Sequence, residues 1–102
     1  LKGSPMDTRC YVVTYDISDP KRWKRLYNLM KSFGEHVQLS VFRCDLEPMQ
    51  MVRLKGQLEE IIKHDEDQVI LVDLGPSTPD VIQEIQVLGR PKIFHLPGPT
   101  VA

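Results

Sequence analysis

Residues 14–22 read TYDISDPKR and connect the end of a predicted strand to the start of a predicted basic helix. Ser18 or Asp19 can serve as the N-cap of this helix, and Pro20 suits its first position. Asp16 then stands at the strand end, directly beside a run of lysines and arginines. An acid in that place is what a metal-assisted phosphate chemistry needs, and it is equally what an ordinary strand-to-helix turn contains.

The helix after this turn has an apolar stripe on one side and a basic surface on the other. The stripe consists of Trp23, Leu26, Tyr27, Met30 and Phe33, and Gly34 marks its predicted end. The basic surface consists of Lys21, Arg22, Lys24 and Arg25. Three of these cations lie near the first turn, where the helix dipole disfavours positive charge. Their placement indicates that something other than helix stability selected them.

The flanking segments alternate between strands and helices. A strand is predicted over residues 9–15, with apolar side chains on both faces, as in the interior of a sheet. Residues 35–46 are also strand-like, but their alternation changes phase near Leu39 and Ser40. The change predicts two short strands or one kinked strand. A second helix begins near Pro48, and its buried stripe consists of Met51, Leu54, Leu58, Ile61 and Ile62.

Residues 68–74 are almost entirely apolar and predict another buried strand. A loop over residues 75–80, a short turn, a strand ending at Gly89 and a last short strand over residues 92–96 are predicted after it. The last strand lies between two prolines, which suits a sheet edge or pairing with another subunit.

The order of these elements predicts an α+β protein, a ferredoxin-like βαββαβ sandwich with an extra C-terminal strand. One domain is expected over residues 6–96. Residues 1–5 are interpreted as a cloning scar, and residues 97–102 as a flexible tail.

Composition limits the possible functions. The 102 residues are 26% charged and 41% apolar, as in ordinary globular proteins, and the net charge is only -1. That total hides a basic segment, because five basic residues and no acid lie between Lys21 and Lys31. Two distant cysteines favour free thiols in a reducing cytoplasm over a zinc site. No apolar run approaches the roughly 18 residues that a membrane span requires.

Taken together, the segments resemble the CRISPR-associated protein two family. The resemblance covers roughly residues 9–89 and is carried by YDISD at residues 15–19, the basic helix, VQLSVFRCDL at residues 37–46 and VDL at residues 72–74. It implies a homodimer of ferredoxin-like protomers with a role in CRISPR spacer acquisition beside a partner integrase. It also implies a magnesium-dependent endonuclease that acts on single-stranded RNA or double-stranded DNA.

The resemblance assigns roles to particular residues. Asp16 matches the family's metal-binding aspartate, which would hold Mg²⁺, and Tyr15 precedes it in the catalytic motif. Arg25 matches a helix position associated with activity, and Phe42 matches the phenylalanine of the strand motif. Lys21, Arg22 and Lys24 would join Arg25 and Phe42 in binding nucleic acid. Trp23 and His36 depart from the pattern, because basic residues are frequent at both positions.

Alternatives stay open beside these assignments. Core packing is the favoured interpretation of Tyr15 and Phe42 from the residues themselves, and Asp16 is also interpretable as a capping carboxylate. One aspartate supplies only one protein ligand to Mg²⁺. A two-fold axis that brings two copies of Asp16 together would complete the site. The same dimer without catalysis would be a DNA scaffold for the integrase. A non-catalytic ferredoxin-like module that binds RNA or a metabolite is a further alternative.

Overall fold

The structure, a computed structural model, describes residues 8–78 and 85–89. Six elements follow one another in the described part: β1 (Arg9–Asp16), α1 (Pro20–Lys31), β2 (Glu35–Gln38), β3 (Val41–Leu46), α2 (Pro48–Ile61) and β4 (Gln68–Pro76). The four strands form one antiparallel sheet in the order β2-β3-β1-β4. Both helices contribute to one core on one side of the sheet, which confirms the predicted ferredoxin-like α+β fold.

Strand β1 lies in the interior of the sheet, as its two apolar faces predicted. It pairs along its length with β3 on one side and with β4 on the other. The pairing with β4 shifts by one residue between Cys10 and Tyr11, which marks a β-bulge. Beyond this bulge Cys10 pairs with Gly75 and Arg9 with Pro76, so β4 runs two residues past the predicted end at Leu74.

Alternate residues of the central strands fill the core beneath the helices. Val13 and Phe42 are completely buried, and so are Leu26 and Leu54 from the two helices. Burying side chains of this size stabilises the fold by about 1.5–3 kcal/mol each. Tyr27 joins them, and its ring stacks on Trp23 at a centroid distance of 5.2 Å. Because the Trp23 ring also lies 6.3 Å from the Tyr15 ring of β1, centre to centre, this packing holds α1 against β1.

The two helices begin in the same way, but their caps differ. The Asp19 side chain accepts a hydrogen bond of 2.9 Å from the backbone N–H of Arg22, which makes Asp19 the N-cap of α1. In α2 the backbone N–H of Glu47 donates to the Gln50 side chain at 2.8 Å. Helix α1 ends at Lys31, before the predicted stop at Gly34.

Glycine is required at position 34 for a steric reason. A Cβ atom added there would overlap the backbone carbonyl oxygen of Arg43 and approach the Cys44 Sγ atom to 2.5 Å. The segment between α1 and β2 therefore needs glycine because it passes directly against β3.

The predicted phase change corresponds to a turn at Leu39 and Ser40, which separates β2 from β3. Residues 85–89 correct a prediction, because their backbone is irregular where a strand ending at Gly89 was expected. A strand needs a pairing partner, and these residues join none of β1–β4. The segments predicted at residues 1–5, 92–96 and 97–102 lie outside the described residues. No helix in the described part is long and apolar enough to cross a membrane.

Candidate metal and nucleic-acid site

Asp16 is the last residue of β1, and its side chain is exposed. The strand end that carries it is held from both sides. Asp16 pairs with Gln68 of β4, and the preceding Tyr15 backbone N–H donates to the Ser40 carbonyl oxygen at 3.2 Å. The carboxylate thus stands on a fixed backbone and faces solvent, which is what a metal or phosphate ligand needs.

Tyr15 points to the opposite side of the strand and is buried, with 6% of its surface exposed. Its ring centroid lies 6.3 Å from that of Trp23 and 6.3 Å from that of Phe42. Its hydroxyl donates a long hydrogen bond of 3.5 Å to the Leu39 carbonyl oxygen. Burial raises the pKa of this phenol, which keeps it protonated. Tyr15 therefore braces the strand end beneath Asp16, and its catalytic role stays a prediction.

Phe42 does not fit the predicted contact with nucleic acid. Its side chain is completely buried, and its ring packs 4.8 Å from that of His36 and 5.6 Å from that of Tyr27. No face of the ring is available to a base. The core interpretation, which the sequence left open, describes its position.

The basic surface of α1 divides into two parts. Lys21, Lys24 and Arg25 are exposed, and none of them forms an ion pair with another residue of the described chain. Their role as phosphate contacts stays a prediction. The ammonium nitrogen of Lys31, the last residue of α1, lies 5.5 Å from the centre of the Tyr27 ring.

Arg22 is the other part of this surface, and its side chain is engaged within the protein. Its guanidinium donates to both carboxylate oxygens of Asp67, at 2.7 and 3.1 Å, and to Glu66 at 3.1 Å. The hydrogen bonds from Arg22 hold the pKa of Asp67 well below its usual range. Arg22 is thus satisfied inside the protein, and Asp67 is a structural residue that the sequence predicted only as part of a turn.

The metal-binding potential of one protomer is limited. Within residues 8–78 and 85–89, no group of three or more His, Cys, Asp or Glu side chains is close enough to hold a metal ion. Asp16 nevertheless supplies the oxygen chemistry that Mg²⁺ prefers, since that ion binds through one or two carboxylates plus water and phosphate. The donor therefore fits the ion, and Asp16 is the ligand that the family motif assigns to it.

The face of the sheet that the helices leave open is apolar where β1 and β4 meet. Val12 pairs with Val72, and Thr14 with Ile70, so these side chains share the face on which Asp16 lies. Ile70 is 46% exposed and Val72 is 41% exposed. We refer to Val12, Thr14, Ile70 and Val72 as the open-face patch.

The fold and the site define a class of protein: a small ferredoxin-like α+β domain that presents an aspartate at a strand end beside a basic helix. The family model described as CRISPR associated protein Cas2 matches residues 9–78. The chain therefore belongs to the Cas2 family, as the sequence motifs indicated.

Individual proteins support this assignment. A protein from Rhodospirillum rubrum named CRISPR-associated endoribonuclease Cas2 1 is 44% identical over 80 residues, which cover 78% of each chain. The crystal structure of Streptococcus pyogenes Cas2 at pH 6.5 has a TM-score of 0.70 and 30% identity, covering 78% of this chain and 99% of that one. A chain of a partial Cas6-RT-Cas1–Cas2 complex shares the fold, with a TM-score of 0.64, 24% identity and coverage of 78% and 90%.

Proposed function

We propose that this protein is a CRISPR spacer-acquisition subunit that works as a homodimer, binds nucleic acid through α1 and cleaves phosphodiester bonds with Mg²⁺. The observation that carries the proposal is the position of Asp16. Its exposed carboxylate stands at the end of the central strand, on the open sheet face, and the exposed cations of α1 follow it in the chain from residue 21.

The open-face patch supports the homodimer. Partly exposed Ile70 and Val72 lie beside Thr14 and Val12 on the antiparallel sheet, and burying them would gain about 25 cal/mol per Å² of apolar surface. A second copy is the occupant we propose, because an isologous interface sets equivalent residues opposite one another. Asp16 lies on the same face, so the two copies of its carboxylate would meet across the axis.

The chain's own residues divide the work of cleavage. Lys21, Lys24 and Arg25 would hold backbone phosphates, an interaction that is independent of sequence. Asp16 would hold Mg²⁺ together with its copy, and the buried Tyr15 ring would keep its strand in place. When bound, the ion would polarise the scissile phosphate and lower the pKa of a water molecule.

A scaffold without catalysis is the second candidate. It is favoured because the described residues contain no cluster of three or more His, Cys, Asp or Glu side chains, while Lys21, Lys24 and Arg25 are exposed and could bind DNA. The name of one structural neighbour, a Cas1–Cas2 complex, suggests an integrase partner for which such a dimer would hold DNA. Membership of the Cas2 family argues against the third alternative, an unrelated module that binds RNA or a metabolite.

The experiment compares wild type with Asp16→Ala on single-stranded RNA and on duplex DNA, in Mg²⁺ and in chelator. The proposal expects cleavage by wild type in Mg²⁺ only, and a loss of about 100-fold or more in the variant. Gel-shift binding in chelator should stay unchanged, because the phosphate contacts of α1 are intact.

Equal cleavage by both proteins would exclude Asp16 as the metal ligand. Duplex binding by both proteins without cleavage by either would favour the scaffold. Parallel assays on RNA and DNA decide which nucleic acid is the substrate.

A further inference from the structure

The buried carboxylate of Asp67 accepts hydrogen bonds from three segments of the chain. Its side chain is 0% exposed, although it belongs to the turn between α2 and β4. One oxygen accepts from the Lys63 backbone N–H at 2.8 Å, and the other accepts from the Ser18 backbone N–H at 3.1 Å. Both oxygens also accept from the Arg22 guanidinium. A buried charge is tolerated when it is paired and hydrogen-bonded in this way.

Two of the segments that meet here flank Asp16. Ser18 lies two residues after Asp16 in the loop to α1, and the Ser18 hydroxyl also contacts Asp67, at 3.4 Å. Gln68 directly follows Asp67 and pairs with Asp16 in the sheet. The loop that follows Asp16 and the β4 residue that pairs with it are therefore both tied to Asp67.

Arg22 contributes its charge to this anchor and not to the surface. Its guanidinium forms a two-point ion pair with Asp67, and 23% of its side chain is exposed. Arg25, three residues further along α1, is exposed and has no ion-pair partner in the described chain. A phosphate would have to replace a buried carboxylate that fits the guanidinium fork, which is an unfavourable exchange.

We infer that Arg22 and Asp67 are positioning residues: their ion pair clamps the loop after Asp16, and Arg22 does not belong to the phosphate-binding surface. The inference rests on the proposed role of Asp16 as metal ligand. It explains why a cation lies in the first turn of α1, where the helix dipole disfavours it. The buried carboxylate of Asp67 is close enough to compensate.

The first test measures how duplex DNA binding depends on salt. Each phosphate contact that is lost lowers the slope of log K against log salt by about 0.9. Arg25→Gln should therefore lower the slope by about one contact, whereas Arg22→Gln, which removes the same charge from the same helix, should leave it unchanged. Circular dichroism confirms that both variants are folded. Equal losses of slope would overturn the assignment of Arg22.

The second test removes the buried carboxylate with Asp67→Asn. Glu59→Gln is the matched control, because it removes one negative charge from an exposed pair with His64 near the end of α2. Hydrogen exchange at the Ser18 amide should become about 10-fold faster in Asp67→Asn, since this amide loses a charged acceptor. The control should exchange like wild type, and duplex binding in chelator should stay within about 2-fold for both variants.

Metal binding distinguishes positioning from mere stability. The Mn²⁺ concentration that half-saturates the protein should rise about 10-fold in Asp67→Asn, as for other residues that orient a metal ligand. Unchanged Mn²⁺ binding, in a protein where Asp16→Ala abolishes it, would overturn the inference and leave the proposed site intact. Unchanged Mn²⁺ binding in Asp16→Ala itself would instead count against the proposed site.

Discussion

The two faces of the sheet are built from the same strands but differ in how deeply their side chains are buried. On the helix side, Val13 and Phe42 are completely buried and Tyr15 nearly so. On the other side, Ile70 and Val72 keep almost half of their surface exposed. The chain thus completes one core by itself and leaves a second apolar surface uncovered. Asp16 lies on the open face, and Tyr15, its neighbour, anchors the strand from the closed one.

The closed face should be the most sensitive to substitution. Phe42→Ala removes a completely buried ring that contacts Tyr27 and His36, and we expect it to lower the free energy of unfolding by about 3–5 kcal/mol. Val72→Ala, on the open face, is the comparison and should cost less than about 1 kcal/mol in the dissociated protein. Urea unfolding at low protein concentration measures both values. A smaller loss for Phe42→Ala than for Val72→Ala would reverse the roles of the two faces.

The open face should instead control association. Val72→Asp places two like charges near a two-fold interface, and we expect the dimer dissociation constant to rise at least about 10-fold. Sedimentation equilibrium measures this constant. Val52→Asp is the control, because Val52 is 63% exposed on α2, away from the open-face patch. A Val72→Asp variant that stays as tight a dimer as the control would place the interface elsewhere.

The clamp between α1 and the α2–β4 turn should appear as a pH dependence of stability. Arg22 lowers the pKa of Asp67 below its ordinary value of 3.8, so the stabilisation is complete above that value and is lost as the pH falls through the lower folded pKa. The stability difference between wild type and Asp67→Asn should therefore be largest at neutral pH and should shrink below about pH 4. Urea unfolding between about pH 7 and pH 2.5 measures it. A difference that is independent of pH would exclude a charged Asp67 as the stabilising group.

Most of the fold was predictable because its signals are local. The apolar pattern of β1, the proline at the start of each helix and the phase change at Leu39 each depend on neighbouring residues, and the structure bears them out. The longer β4 was missed because Gly75 and Pro76 owe their strand conformation to pairing across the bulge at Cys10, and a single sequence does not show such pairing.

The candidate site was only partly predictable, for a related reason. The exposed Asp16 and the exposed cations Lys21 and Arg25 follow from local sequence and the family motif. Arg22 looked identical to these cations, because its partner Asp67 lies 45 residues away and no sequence spacing links the two. Phe42 matched a functional motif, although its alternation with Cys44 already indicated a core-facing side chain.

The central claim is that two copies of Asp16 share one metal ion across a dimer. Titration with Mn²⁺, followed by electron paramagnetic resonance, tests it most directly, since manganese prefers the same oxygen ligands as magnesium. A shared site predicts about half an ion bound per chain in wild type and none in Asp16→Ala. One ion per chain, or binding that survives in Asp16→Ala, would contradict it.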